Sequence, residues 1–211
     1  MISFLEEELR GIYRFLKRNK NEVVVLSTAA LFLSLHSYHR IWNEWFSSLL
    51  YFAVLPILVI ILFLGRNPLD YGFRWGNTGI WGRYIGIFCI IAAPVLFFST
   101  YSAELQKYYE IENFNLVSYF FITLASLFAS EFFFRGFLIF GLKEKLKETS
   151  ILIQMIPFVM VHFGKPELET VSTIITGIIF GYIVYRGNSF WPAFIIHMFI
   201  NVFFVACVNL F

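Results

Sequence analysis

Long apolar stretches alternate with short polar ones over almost the whole sequence, and this alternation predicts helices that cross a membrane. A spanning helix needs about 20 mostly apolar residues, or fewer when its ends are amphipathic. Seven stretches are candidates: 23–39, 45–64, 84–101, 116–142, 151–162, 171–185 and 191–211. The pattern therefore predicts an all-α, polytopic transmembrane helical bundle of about seven spans.

Residues 1–22 show a different pattern, in which apolar residues recur at helical spacing among charged ones. The apolar positions are Phe4, Leu5, Leu9, Ile12, Tyr13 and Leu16. This predicts an amphipathic helix that lies on the cytoplasmic face of the membrane, rather than a cleaved signal peptide. Residues 23–211 are expected to form a single transmembrane domain.

The composition excludes an ordinary soluble domain. Hydrophobic residues make up 59% of the chain and charged residues only 14%, whereas soluble domains carry about 25% charged residues. The net charge of +2 gives no indication of nucleic-acid binding. Cys89 and Cys207 each lie in an apolar run without partner spacing, which argues against a disulfide or a cysteine-zinc site.

Lysine and arginine are distributed unevenly between the loops. Five precede the first predicted span, and the following loops hold one, three, one, three, one and one. Because cytoplasmic loops are enriched in these residues, the alternation predicts a multi-pass cell-membrane protein with a cytoplasmic N-terminus. The short chain favours a bacterial inner membrane.

A few polar side chains lie within the predicted spans. Burying ionisable groups there costs free energy, and such groups usually have a function. They are Glu131, Arg135, His162, His197 and Asn201. At about 1.5 Å per residue, Glu131, His162 and Asn201 lie about 15–17 Å from the cytoplasmic ends of their helices, and His197 about 9 Å. Three helices are thus expected to place polar groups in one slab of the bilayer.

Two hydrolytic mechanisms fit these side chains. In the first, Glu131 and His162 activate a water, His197 and Asn201 stabilise the oxyanion, and Arg135 keeps Glu131 ionised. In the second, Glu131, His162 and His197 bind zinc and leave one position open for water. The metal-free mechanism is favoured, because no HExxH spacing orients the three ligands.

Other interpretations give these residues no catalytic role. Glu131 and Arg135 are four residues apart and can neutralise each other on one helix face. His197 and Asn201 can join helices by hydrogen bonds. A small transporter with a proton relay is a further alternative, although the sequence has no pair of broken helices in corresponding halves.

The order of three motifs resembles the CPBP family of intramembrane proteases, which is also called the Abi or CAAX-protease family and includes Rce1. The motifs begin at Glu131, Phe158 and His197, and they read Glu-Phe-Phe-Phe-Arg-Gly, Phe-Val-Met-Val-His and His-Met-Phe-Ile-Asn. The resemblance covers a core of about 116–211. It implies a helical membrane fold and an endopeptidase that cuts membrane-associated or lipidated protein substrates.

The resemblance assigns roles to single residues. It makes His162 the histidine of the second motif, His197 and Asn201 the oxyanion-stabilising pair, and Arg135 the arginine of the first motif. Ser130 stands where the family has its first glutamate, the water-activating base. Three explanations are open: Glu131 has taken over this role, the protein is a catalytically silent membrane scaffold that binds a partner, or Ser130 is an engineered change.

Overall fold

A computed structural model describes residues 2–210, which form nine α-helices and no β-strand. Two of the helices, α3 and α6, contain an internal π-helical segment. The helices are α1 (Ile2–Arg18), α2 (Lys20–Tyr38), α3 (Glu44–Leu62), α4 (Thr78–Ser99), α5 (Ala103–Tyr109), α6 (Leu116–Leu146), α7 (Thr149–Met160), α8 (Glu167–Gly187) and α9 (Trp191–Leu210).

Five of these helices, α3, α4, α6, α8 and α9, are long and apolar enough to cross a membrane. The all-α membrane fold predicted from the sequence is therefore confirmed. Helix α7 is apolar but has only 12 residues. Helix α2 is 19 residues long and begins with charged residues, and it falls outside the group of five. For these two helices, spanning stays a prediction.

Helix α1 exposes the apolar side chains that suggested an amphipathic helix. Phe4, Leu5, Leu9, Ile12 and Tyr13 are each more than half exposed. Several basic residues lie on the same helix and in its last turn. This arrangement suits the boundary between lipid and water, and the location of α1 on the cytoplasmic face stays a prediction.

The connecting segments gather at two ends of the bundle. At one end, Arg66 pairs with Glu144 at 2.5 Å, and the amide of Asn77 donates to the carbonyl of Gly187 at 2.8 Å. Lys145 joins the same end to the start of α2 through Asn19. We call this the basic end, formed by the start of α2, loop 63–77, residues 147–148 and residues 188–190.

The opposite end is formed by residues 39–43, 100–115 and 161–166 and by the end of α9. Here the hydroxyl of Tyr109 donates to Glu169 at 2.6 Å, and the side chain of Asn209 accepts from the amide of Ile111 at 2.7 Å. The segments that the sequence predicts to be cytoplasmic therefore lie together at one end of the bundle.

A π-helical segment in α6, Phe132–Leu138, directly follows Glu131, and all seven of its residues are buried. Such segments often occur at functional sites. Gly136 permits its close packing, because a Cβ there would lie 2.6 Å from the Phe132 ring and 2.8 Å from the carbonyl oxygen of Tyr71. The segment carries Arg135 into the interior between α7 and α8.

Candidate active site

Glu131 is the centre of a buried polar cluster. Its side chain is 0% exposed, and its Oε1 lies 2.7 Å from Nδ1 of His197 on α9. Its Oε2 lies 3.2 Å from Nε of Arg135, one turn further along α6. The pairing of Glu131 with Arg135 follows from their spacing of four residues, whereas the contact with His197 depends on how α9 packs against α6.

Arg135 is held mainly by aromatic rings. Its side chain is 0% exposed, and its guanidinium carbon lies 3.8 Å from the ring centre of Phe158 and 5.4 Å from that of Phe180. Within residues 2–210, its guanidinium nitrogens have no partner with good hydrogen-bond geometry. Its charge is therefore balanced by Glu131 through proximity and by stacking against the rings.

His162 lies just after α7 and is 8% exposed. Its Nδ1 lies 2.7 Å from the carbonyl oxygen of Phe158. A carbonyl only accepts, so Nδ1 carries the proton and, in the neutral ring, Nε2 carries the lone pair. The ring of Phe158 contacts His162 at 4.8 Å between ring centres and His197 at 6.3 Å, so this ring lies next to both imidazoles.

Asn201 lies one turn beyond His197 on α9. Its Oδ1 accepts a hydrogen bond from the hydroxyl of Tyr119 on α6. Because the oxygen of the amide is occupied in this way, the NH₂ group is the part that is free to donate to another molecule. Tyr119 is not among the site residues predicted from the sequence, and it lies 82 residues away from its partner.

His197 and Asn201 line a cavity of about 360 Å³ between α4, α5, α8 and α9. The His197 side chain is 15% exposed, in contrast to the enclosed Glu131. The cavity also exposes Tyr109 and Glu169, and it has room for several water molecules. Burial raises the pKa of Tyr109, and the Glu169 carboxylate raises it further, so Tyr109 stays a protonated donor.

The structure brings together most of the predicted site, but in a different pairing. Glu131 contacts His197 and Arg135, and no hydrogen bond joins it to His162 in residues 2–210. Within the same range, no three His, Cys, Asp or Glu side chains are arranged to hold a metal ion. The zinc site of Glu131, His162 and His197 stays a prediction that the structure does not test.

Comparison with protein families adds independent information. Residues 112–203 match the family model described as Type II CAAX prenyl endopeptidase Rce1-like. This part of the chain, somewhat under half of its length, is similar to that family. No curated protein and no solved structure matches the chain.

The matched residues extend from the loop before α6 into α9 and include Glu131, Arg135, His162, His197 and Asn201. The predicted resemblance to this family is thus confirmed. Proteins of this family are usually proteases, and they act on substrates associated with membranes. Ser130 is half-buried on α6 beside Glu131, and its hydroxyl makes no hydrogen bond among residues 2–210.

Proposed function

We propose that this protein is an intramembrane endopeptidase that hydrolyses peptide bonds of membrane-associated substrates, with His197 as the base that activates water. One observation carries the proposal. A carboxylate, Glu131, lies 2.7 Å from one nitrogen of an imidazole whose side chain also lines a cavity. A buried carboxylate that orients a histidine in this way is typical of enzymes in which the histidine moves a proton.

General-base catalysis uses the neutral form of the imidazole, in which one ring nitrogen keeps a lone pair. Glu131, which is enclosed beside Arg135, determines which nitrogen of His197 that is. In the neutral ring, Nδ1–H donates to Glu131, and the lone pair on Nε2 remains for a water molecule.

The reaction then follows from the free nitrogen of His197. Nε2 takes a proton from a water in the cavity, and the hydroxide oxygen forms a bond to the carbonyl carbon of the substrate. The carbonyl π electrons move to its oxygen. When this intermediate collapses, the C–N bond breaks and His197 returns the proton to the leaving nitrogen. The products are an amine and a carboxylic acid, and the acid then loses its proton to water and becomes a carboxylate.

Asn201 is suited to bind the carbonyl oxygen while it becomes negative. Its Oδ1 accepts from Tyr119, and its NH₂ group makes no hydrogen bond among residues 2–210. A donor that is fixed before the reaction needs no reorganisation, and removal of one such donor typically lowers kcat by about 10²–10³. Tyr119 acts here as a positioning residue, and Glu131 and Arg135 position His197.

The mechanism expected from the sequence, in which Glu131 and His162 activate the water, is the rival. The variants His197→Ala and His162→Ala distinguish the two mechanisms. Cleavage by each variant is measured with a quenched peptide library and a prenylated CAAX peptide, in detergent or in proteoliposomes. We expect His197→Ala to lower kcat by about 10²–10⁴, the range of general acid–base catalysis, and His162→Ala to have a much smaller effect.

A large loss in His162→Ala with an active His197→Ala would contradict our assignment and favour the rival. Each variant must elute like the wild type in size-exclusion chromatography, so that a folding defect is recognised. A correctly folded wild type that cleaves none of the peptides would instead support the catalytically silent scaffold.

A further inference from the structure

A second, larger cavity adjoins the one at His197. Its volume is about 830 Å³, and it runs between α4, α7 and α8. The residues that line both cavities are Phe88, Ala92, Val95 and Thr176. We call the larger cavity the groove. From these shared residues it extends to Glu148 and Thr149 at the basic end of the bundle.

The walls of the groove are mainly apolar, and many of them are exposed. The exposed wall residues of α4 and α8 include Ile87, Ile91, Val95, Ile175, Ile179 and Tyr182. Because α4 and α8 are long and apolar enough to cross a membrane, the groove opens where the acyl chains of lipids are available.

The size of the groove favours a single hydrocarbon chain over a protein helix. A transmembrane helix about 10 Å wide and about 30 Å long occupies about 2,400 Å³, about three times the volume of the groove. An acyl chain is much thinner than a helix and can lie along the groove between α4 and α8.

Two arginines lie at the end of the groove that reaches the basic end. The guanidinium carbon of Arg186, in the last turn of α8, lies 5.9 Å from the ring centre of Tyr182. That ring lies 6.4 Å from the ring of Tyr84 on α4, and Arg83 directly precedes Tyr84. Both tyrosines line the groove, so the two arginines belong to its rim.

The charge of this rim is not balanced within the protein. Arg83 and Arg186 are exposed, and neither forms a hydrogen bond or an ion pair among residues 2–210. Other basic residues of the same end are paired: Arg66 with Glu144, Arg74 with Asp70 and Lys145 with Glu22. Glu148 is the one carboxylate that lines the groove in the described part of the chain, and Lys147 stands next to it. The rim therefore keeps a net positive charge.

We propose that the groove binds one anionic phospholipid. Its phosphate is held by Arg83 and Arg186, and one acyl chain lies between α4 and α8 with its end near Phe88 and Thr176. Basic pockets between transmembrane helices bind acidic lipid headgroups, and arginine offers paired N–H donors to a phosphate. The bound chain then forms part of the wall beside His197. The site requires no hydrolysis, so it goes beyond the proposed function and does not depend on it.

Native mass spectrometry of the purified full chain tests the proposal. The protein is titrated with phosphatidylglycerol and with phosphatidylcholine that carries the same acyl chains. We expect one phosphatidylglycerol to bind about tenfold more tightly or better, because the choline ammonium cancels the charge of the phosphate. Equal affinity for the two lipids would overturn the proposal.

The role of the rim is tested with Arg83→Gln/Arg186→Gln. Each cation near an acidic lipid changes its affinity about 5-fold, so the double variant should bind phosphatidylglycerol about 30-fold more weakly. Arg14→Gln/Arg18→Gln removes two exposed arginines from α1 and is the matched control, which should keep the affinity of the wild type. An unchanged affinity in Arg83→Gln/Arg186→Gln would contradict the assignment of the headgroup.

The place of the acyl chain is tested by filling the groove. Ile179→Trp puts a large ring into it and should weaken phosphatidylglycerol binding about tenfold or more. Ile174→Trp changes an exposed residue of the same helix that lines neither cavity, and it should bind normally. Equal binding by these two variants would place the chain elsewhere.

Glycerol 3-phosphate, which carries the phosphate without chains, separates a lipid site from a site for free phosphate. It should not displace phosphatidylglycerol at equal concentration, and displacement would contradict the proposal. The rim and groove variants are independent, so the test stays decisive if one of them does not fold in size-exclusion chromatography. A protein that binds the lipid but cleaves no peptide would refute only the proposed function.

Discussion

Replacing Glu131 by glutamine changes which ring nitrogen of His197 carries the proton, while the side chain at position 131 keeps nearly the same size. In the wild type, Oε1 of Glu131 accepts from Nδ1 of His197 at 2.7 Å. A glutamine can instead turn its NH₂ group towards Nδ1, which then becomes the acceptor. The ring proton moves to Nε2, and no lone pair faces the water. The same loss of the correct tautomer in a serine-protease triad costs about 10⁴ in kcat.

We therefore expect Glu131→Gln to lower kcat by about 10²–10⁴, with little change in KM. The measurement is steady-state cleavage of a fluorogenic peptide by the purified variant. Glu144→Gln is the matched control, because it makes the same chemical change in an ion pair that is mostly exposed. Exposed pairs contribute at most about 1 kcal/mol, and the control should keep its activity.

The substitution also leaves Arg135 without its anionic partner. An uncompensated buried charge destabilises a protein by about 3–5 kcal/mol, so lost activity alone would not distinguish misfolding from a wrong tautomer. The double variant Glu131→Gln/Arg135→Met removes both charges and should recover most of the stability while remaining inactive. A Glu131→Gln protein with less than a tenfold loss of kcat would refute the role of Glu131.

Three further substitutions test neighbouring parts of the structure. Tyr119→Phe removes the hydrogen bond that orients Asn201, which contributes about 0.5–1.5 kcal/mol. We therefore expect kcat to fall about 2- to 13-fold with KM unchanged. An unchanged kcat would contradict the role of Tyr119 in positioning Asn201. Phe158→Leu removes the ring stacked at 3.8 Å on Arg135, and thermal unfolding should show a loss of about 1–2 kcal/mol. Gly76→Ala should lower the stability of the protein by about 1–3 kcal/mol in thermal unfolding, because Gly76 has φ +62° and a Cβ would lie 2.2 Å from the carbonyl oxygen of Gly187. Normal stability would show that this loop can shift.

The sequence predicted the helices well because spanning a membrane imposes a simple length and composition on each segment. It also predicted the pair of Glu131 and Arg135, since four residues correspond to about one helical turn. The spanning helices and the pair of Glu131 and Arg135 depend on local sequence alone, and the structure contains both features.

The partner of Glu131 could not be predicted in the same way. Depth along the membrane normal follows from counting residues, but it does not say which helices are neighbours or which face each presents. The counts placed His162 at the same depth as Glu131, whereas the structure places His197 against it. His162 instead donates from Nδ1 to the carbonyl of Phe158, in the last turn of the preceding helix α7. The contact of Tyr119 with Asn201 depends on helix packing in the same manner.

Ser130 shows how these two kinds of information combine. The family motif alone makes the absence of the first glutamate a sign of lost activity. The geometry offers another basic atom, since His197 lines the cavity and its Nδ1 is already held by Glu131. Ser130→Glu should accordingly leave activity within a few-fold of wild type if His197 is the base.

The most direct test of the account is cleavage in ¹⁸O-labelled water by the wild type and by His197→Gln. The purified proteins are incubated in proteoliposomes with a membrane-associated peptide, and the products are identified by mass spectrometry. We predict that the wild type yields a new C-terminal carboxylate carrying ¹⁸O and that His197→Gln yields almost none. An intact peptide with folded wild type, or equal cleavage by the two proteins, would contradict the account.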